Sequence, residues 1–147
     1  MKKILVVEDR PNHMKDALEF LSSIEGLEIF TATNASEASG IIFNEDLDGV
    51  ITDIFIPISS GKSSENPCGL IVAAQAKEKG IRCVLCTDQY HHGEKLEWLY
   101  QMFCALRKPL NCGWGETIID RGHNPHSSKK KNWKAAYEDI CGLYDRR

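Results

Sequence analysis

Four short apolar runs in this sequence each end in residues that could take part in metal or phosphate chemistry. These end residues are Glu8 with Asp9, Asp53, Thr87 and Lys108. Three carboxylates at one place repel one another strongly where the local dielectric constant is low, so they need a cation. Mg²⁺ suits such a site because it prefers oxygen ligands and keeps several of its waters. With the Lys108 ammonium and the Thr87 hydroxyl, a bound Mg²⁺ would favour a phosphoryl group on Asp53, which could form an acyl phosphate.

The apolar runs themselves are typical of strands in a parallel sheet buried on both faces. The predicted strands are 4–7, 27–32, 49–55, 83–86 and, more weakly, 105–107. Segments in which apolar residues follow helical spacing alternate with them, at 14–24, 35–42, 70–79, 96–103 and 133–144. Five strand–helix units predict a parallel sheet with helices on both faces. Because functional groups in such sheets lie beyond the carboxyl ends of the strands, we expect the end residues to meet there.

Length and composition limit the class of protein to which this chain can belong. The chain has 147 residues, which suits a single domain spanning 1–147, and its 42% hydrophobic and 27% charged residues are ordinary for a globular protein. A net charge of −3 gives no strong positive field, so nucleic acid is not an expected partner. No apolar run approaches the roughly 20 residues of a membrane helix, and the first one is too short for a signal peptide. The expected location is therefore the cytoplasm, without a membrane partner.

Four motifs carry a resemblance to a known family. They are Val-Val-Glu-Asp at 6–9, Thr-Asp-Ile-Phe-Ile-Pro at 52–57, Leu-Cys-Thr at 85–87 and Arg-Lys-Pro at 107–109. Because these motifs occur in this order at the ends of predicted strands, the chain resembles the receiver domain of two-component response regulators, of the stand-alone kind found in chemotaxis. The resemblance covers about residues 1–110 and the last helix. It implies a flavodoxin-like (βα)₅ three-layer sandwich whose five-stranded parallel sheet has the order 2-1-3-4-5.

The resemblance also implies how the acidic residues would work. Asp53 would be the phosphoacceptor, taking a phosphoryl group from the phosphohistidine of a sensor histidine kinase or a histidine phosphotransfer domain. The implied cofactor is Mg²⁺, which Asp9 would bind directly together with Asp53, and Glu8 would assist through a water molecule. The backbone carbonyl of Phe55 would be a further metal ligand.

The remaining motif residues would contact the phosphoryl group. By the same resemblance, Thr87 would bind a phosphoryl oxygen and act in the conformational switch, and Lys108 would pair with the phosphate. Pro109 would follow a cis peptide bond, which a residue before proline can adopt at small cost.

The sequence departs from the family pattern in four places. About eight extra residues lie near 61–68, and about twenty are inserted near 111–130. Asp88 stands where the family has a small residue, which adds a carboxylate beside the phosphoryl site. Ala105 stands where the family has an aromatic residue, so the usual threonine–aromatic coupling has no counterpart at that position.

Several weaker signals have structural explanations. Cys83 and Cys86 are three residues apart on a strand, so they should point to opposite faces and act as core residues rather than as a redox or zinc pair. The lysine run at 129–131 is interpreted as a solvated start of the last helix. Trp114, in a loop, either folds back on the core or makes an interface. A zinc site is not predicted, because the spacing of the candidate ligands fits no standard zinc site. These candidates are His91, His92, Cys112, His123 and His126.

The leading hypothesis is a phosphoacceptor signalling module that is not itself an enzyme. Its signal would leave through a surface containing 94–102 and the last helix, beside the 111–130 insertion, toward a downstream protein or a second copy of the chain. One alternative is a receiver-like adaptor that works without phosphorylation. Another is a haloacid-dehalogenase-type phosphatase, which has a second aspartate two residues after its nucleophile. That position is Phe55 here, which argues against the phosphatase.

Overall fold

Four parallel strands form one sheet, and helices cover both of its faces. The computed structural model describes residues 1–87, 97, 98, 101, 105 and 131–142. The elements in chain order are β1 (Lys2–Val7), α1 (Pro11–Leu21), β2 (Leu27–Ala32), α2 (Ala35–Asn44), β3 (Gly49–Thr52), α3 (Gly69–Glu78), β4 (Arg82–Leu85) and α4 (Trp133–Ile140). The strands lie in the order β2-β1-β3-β4. The predicted α/β architecture is confirmed, with the order 2-1-3-4 among the strands described. Within those same residues, no helix has the length and apolar character needed to span a membrane.

The register of the sheet brings the carboxyl ends of three strands to one edge. Val7 of β1 lies opposite Thr52 of β3, and Thr52 lies opposite Leu85 of β4. The pairing continues one residue further, because the N–H of Asp53 donates to the Val7 carbonyl at 3.0 Å and the N–H of Cys86 donates to the Thr52 carbonyl at 2.9 Å. The residues that follow β1, β3 and β4 therefore lie side by side, as the sequence predicts.

Alternate residues of each strand pack into two separate cores. One core lies between the sheet and helices α2 and α3, and the other lies between the sheet and helices α1 and α4. The strand residues involved are Leu5, Val7, Val50, Cys83 and Leu85 on the α2–α3 face, and Ile4, Val6, Ile51 and Val84 on the α1–α4 face. Both faces of the sheet are thus buried, which explains why its strands are continuous apolar runs.

The long loop after β3 is fixed at both of its ends. Near its start, the carbonyl of Pro57 accepts the N–H of Ala35, the first residue of α2, at 3.0 Å. Near its end, Pro67 forms an isolated parallel bridge with Ile56. The segment predicted as an insertion near 61–68 lies in this loop, and residues 61–66 are exposed.

The region between β4 and α4 differs from the prediction at one position. Ala105, expected to begin a fifth strand, is helical, as are Trp98 and Gln101 before it. Alanine favours helices, and a segment with only two apolar residues is too short to distinguish a strand from a helix. Three other predicted features of this region lie outside the described residues. They are the rest of the fifth strand, the cis bond before Pro109 and the 111–130 insertion.

A close approach of two backbone segments holds α3 against the end of β3. Gly69 begins α3, and its N–H donates to the carbonyl of Ile54 at 2.8 Å. A Cβ atom at Gly69 would overlap the carbonyl oxygen of Asp53 and lie 2.9 Å from the Cα atom of Ile54. Only glycine therefore lets α3 start here, against the backbone that carries Asp53.

We expect Gly69→Ala to lower the free energy of unfolding by about 3 kcal/mol, because the added methyl group must push α3 off the Asp53 backbone. Gly40→Ala is the matched control, since no atom lies within 4 Å of the Cβ position at that residue of α2. It should stabilise the protein by about 0.5–1 kcal/mol, because alanine favours the helix interior. Urea denaturation measures both changes. Equal stability of Gly69→Ala and the unsubstituted protein would contradict the close approach.

Candidate functional site

Three carboxylates converge at the carboxyl edge of the sheet. Glu8, Asp9 and Asp53 each offer an oxygen atom, and these oxygens lie within 4.8 Å of one another. Glu8 and Asp53 are buried, whereas Asp9 is half-buried. The convergence follows from the register, because Glu8 continues β1 and Asp53 continues the neighbouring β3. The expectation that these side chains meet is confirmed.

The carboxylate of Asp53 is held in one orientation. Its Oδ1 atom accepts the backbone N–H of Ile54 at 2.7 Å. Its Oδ2 atom lies 3.1 Å from the ammonium Nζ of Lys131. Because the side chain is only 4% exposed, these contacts stand in place of most of its hydration.

Glu8 lies next to Asp53 in the same buried environment. Its Oε1 atom accepts the N–H of Arg10 at 3.1 Å, and its Oε2 atom accepts a hydrogen bond from Nζ of Lys131. Burial raises the pKa of Glu8 to about 7, and the charge of Asp53 adds to the increase, although the Lys131 ammonium opposes it. This carboxyl therefore exchanges a proton closer to neutral pH than an exposed glutamate does.

Asp9 is the member of the cluster with an unused oxygen. Its Oδ1 atom is buried and has no hydrogen-bond partner among the described residues. A buried carboxylate oxygen without a donor is costly unless a cation or water satisfies it. Together with the all-oxygen donor set, this atom makes the cluster a good fit for Mg²⁺. The predicted ligands Glu8, Asp9 and Asp53 are thus assembled, and the role of the Phe55 carbonyl stays a prediction.

Lys131 is the site residue that the sequence analysis missed. Its side chain is completely buried, and its ammonium bridges Glu8 and Asp53 from the segment just before α4. The prediction that 129–131 is a solvated helix start is therefore wrong for Lys131. Burial alone would lower the pKa of Lys131, but the charges of Asp53 and Glu8 outweigh it and raise the pKa above its ordinary value. Lys131 is accordingly a protonated cation inside the site.

A signal for Lys131 does exist in the sequence. Cations at a helix N-terminus oppose the helix macrodipole, so a lysine run before α4 is unfavourable unless one of its members has an anionic partner elsewhere. Asn132, which follows, caps α4 by accepting the N–H of Ala135 at 3.0 Å. The cap fixes where the helix begins and leaves Lys131 just outside it, where its side chain can extend toward the sheet edge.

The residues predicted to contact a phosphoryl group are placed only in part. Thr87 is completely buried and follows Cys86, which is hydrogen-bonded to β3, so Thr87 lies at the same edge of the sheet as Asp53. Lys108, Pro109 and Asp88 lie outside the described residues. Their predicted roles stay predictions.

The cysteines behave as core residues where they are described. Cys83 packs in the α2–α3 core and Cys86 in the α1–α4 core, so the two thiols point to opposite faces as predicted. Burial raises the pKa of the Cys83 thiol to about 12, which leaves it unreactive. The free cysteines are Cys68, Cys83, Cys86 and Cys141. Cys112 and the histidines considered for zinc lie outside the described part of the chain.

Many solved structures match this one, and those of response-regulator receiver domains are prominent among them. The response regulator TrrA of Thermotoga maritima, in complex with Mg²⁺-BeF, is 26% identical with a TM-score of 0.60, covering 98% of this chain and 100% of the matched chain. TrrA in complex with the histidine kinase ThkA matches at 25% identity and a TM-score of 0.56, covering 99% and 100%. The non-phosphorylated HemR receiver domain of Leptospira biflexa is 21% identical with a TM-score of 0.61, covering 100% of this chain and 99% of the matched chain. At this identity, the match shows the fold alone. No protein-family model matches the sequence. The resemblance drawn from the four motifs is confirmed.

We expect Lys131→Met to destabilise the protein by about 3 kcal/mol without divalent cations, because it leaves two buried carboxylates uncompensated. Lys134→Met is the matched control, since Lys134 is exposed on α4 and forms a surface ion pair with Glu138. Its effect should stay below about 0.5 kcal/mol. Urea denaturation in a chelator gives both values, and similar losses for the two variants would contradict the buried ion pairs.

We expect Mg²⁺ to stabilise the folded protein by mass action, by about 1.4 kcal/mol at ten times its dissociation constant. Asp9→Asn should abolish most of this gain, because it removes the carboxylate whose Oδ1 atom has no hydrogen-bond partner within the described part of the chain. Glu19→Gln is the control, since it neutralises an exposed carboxylate of α1 and should keep the gain. Thermal unfolding with and without MgCl₂ tests both variants. An undiminished gain in Asp9→Asn would place the metal elsewhere.

Proposed function

We propose that this chain, which has the fold of a response-regulator receiver domain, is a phosphoacceptor module that receives a phosphoryl group on Asp53. The observation that carries the proposal is the environment of this carboxylate. Asp53 lies at the carboxyl edge of the sheet, between two further acidic residues and a buried ammonium. An acidic cluster that holds a metal ion beside a fixed positive charge stabilises the oxygens of a transferred phosphoryl group.

The chemistry is a transfer between two nucleophiles. A lone pair on a carboxylate oxygen of Asp53 forms the new P–O bond as the P–N bond of a phosphohistidine breaks. The electron pair of the broken bond stays on the imidazole nitrogen, and the product on this chain is an acyl phosphate. The hydrogen bond from the Ile54 N–H to Oδ1 and the contact of Oδ2 with Lys131 hold the carboxylate in position for this step.

The chain has the donor set for the cofactor that such a transfer uses. Glu8, Asp9, Asp53 and the backbone carbonyl of Phe55 would hold Mg²⁺, which would supply positive charge to the phosphoryl oxygens. The hydroxyl of Thr87, at the same edge of the sheet, would donate to one of these oxygens. Lys108, which the resemblance implies at the phosphate, lies outside the described residues, and that role stays a prediction.

The partner that supplies the phosphoryl group would be a sensor histidine kinase or a histidine phosphotransfer domain. Support comes from TrrA, which matches this chain over nearly its whole length and was solved in complex with the histidine kinase ThkA. The downstream partner is a different question. The hypothesis that the 111–130 insertion forms a patch for a downstream protein or a second copy stays a prediction, because those residues lie outside the described ones.

The two alternative functions draw less support from the site. A phosphatase with an aspartyl nucleophile needs a proton donor two residues after it, and Phe55 at that position packs against the α2–α3 core instead. An adaptor that never accepts phosphate would not need three carboxylates held together around a buried lysine, since burying charged groups costs stability. The phosphoacceptor is therefore the function that the geometry supports best.

We expect incubation with Mg²⁺ and acetyl phosphate to add one phosphoryl group, which intact-mass spectrometry detects. Asp53→Asn should abolish the addition, since the amide is not a nucleophile of this kind. Asp46→Asn, at an exposed aspartate before β3, is the matched control and should be phosphorylated like the unsubstituted protein.

The label should also be lost at alkaline pH, because acyl phosphates hydrolyse there. A phosphoryl group that persists in Asp53→Asn would assign the phosphoacceptor to another residue. No mass increase in the unsubstituted protein, with either acetyl phosphate or a phosphorylated histidine kinase, would contradict the proposed function itself.

A further inference from the structure

Lys131 engages the carboxylate oxygens that a metal ion would need. Oε2 of Glu8 and Oδ2 of Asp53 both contact its ammonium, the latter at 3.1 Å. The other two oxygens accept the N–H groups of Arg10 and Ile54, at 3.1 Å and 2.7 Å. Every oxygen of these two carboxylates already has a partner. A cation bound by Glu8 and Asp53 must therefore displace a donor, and a flexible lysine side chain moves more easily than N–H groups fixed in the backbone.

Before phosphorylation, one lysine beside a divalent cation balances the formal charge of the site. Glu8, Asp9 and Asp53 carry three negative charges when ionised, which a divalent cation and one ammonium balance. The side chain of Lys131 is completely buried, so its ammonium cannot simply move into water when it leaves a carboxylate. It needs another anion within reach. A phosphoryl group attached to Asp53 would be that anion, since the Asp53 carboxylate is already in contact with Nζ.

We propose that Lys131, rather than Lys108 of the Arg-Lys-Pro motif, is the lysine that pairs with the phosphoryl group, and that a divalent cation displaces it from Glu8 and Asp53. This inference rests on the proposed function. It assigns the phosphate contact to a residue that precedes α4 directly and follows the 111–130 insertion in the chain. The insertion then lies between the Arg-Lys-Pro motif and the lysine that works in the site.

The position of Lys131 links the site to the last helix. Its Nζ atom lies 5.6 Å from the centre of the Trp133 ring, in the first turn of α4, and Trp133 is buried in the α1–α4 core. The other end of α4 is held by an ion pair between Asp139 and Arg82 at 3.3 Å. A movement of Lys131 therefore changes the contacts at the start of α4 while its end stays anchored. Trp133 is placed to report that movement by its fluorescence.

The test compares two lysines that carry the same charge. Lys131→Met, Lys108→Met and the surface control Lys134→Met are titrated in MgCl₂ with beryllofluoride, a mimic of the phosphoryl group, and affinity is measured by calorimetry. We expect Lys131→Met to weaken beryllofluoride binding at least tenfold. We expect Lys108→Met and Lys134→Met to stay within about twofold of the unsubstituted protein, because the proposal gives the phosphoryl contact to Lys131.

A second measurement does not depend on the folding of Lys131→Met. With Trp98 and Trp114 replaced by phenylalanine, Trp133 is the only tryptophan in the chain. MgCl₂ with beryllofluoride should then change its emission, because the phosphoryl mimic offers the Lys131 ammonium a second anion, and the change should persist when Lys108→Met is added. Unchanged emission, or loss of the change in Lys108→Met, would overturn the inference.

The outcomes separate this inference from the proposed function. Phosphorylation of Asp53 in the unsubstituted protein tests the function, whichever lysine contacts the phosphate. A tenfold loss of beryllofluoride affinity in Lys108→Met, or no loss in a folded Lys131→Met, would overturn the assignment to Lys131 and leave the function standing. If Lys131→Met does not fold in MgCl₂, the Lys108→Met titration and the Trp133 emission still decide the assignment.

Discussion

Buried carboxylates repel one another, and in this protein the ammonium of Lys131 keeps two of them together. Moving a charged group out of water costs on the order of several kcal/mol, and the cost is offset only when the opposite charge is in direct contact. Glu8 and Asp53 meet that condition through the same Nζ atom. The pair also joins distant parts of the chain, since it ties the ends of β1 and β3 to the start of α4. The last helix is thereby attached to the site through charge as well as through apolar packing.

The sheet supplies the precision that this arrangement requires. Three parallel strands end at the same level, so the residues that follow them start from fixed backbone positions a few ångströms apart. The close approach of Gly69 fixes the backbone around Asp53 from the α3 side, and the N–H of Ile54 orients its carboxylate. Rigid elements thus carry the acidic residues, and the lysine that balances them comes from a segment outside the sheet.

This division between a rigid acidic edge and a separate cation gives the protein a way to respond to ligands. A ligand shifts an equilibrium between two arrangements only by its difference in affinity for them. A divalent cation bound by Glu8 and Asp53 would compete with the ammonium of Lys131 for the same carboxylate oxygens, so it would favour an arrangement in which Lys131 has moved. Because Trp133 packs two residues later in the core, such a movement acts on α4 rather than on the solvent.

The sequence by itself determined the parts of this protein that depend on local pattern. Runs such as 4–7 and 49–52 are apolar at every position because both faces of the sheet are buried, and the parallel order then requires Glu8 and Asp53 to meet at one edge. The tertiary structure decided which cation joins them and that Ala105 is helical. Glu8 and Lys131 are 123 residues apart, and no periodicity or motif encodes an ion pair at that distance. The lysine run before α4 indicates at most that one of its members needs an anionic partner, and only the packing of α4 on the sheet places the Lys131 ammonium between two carboxylates.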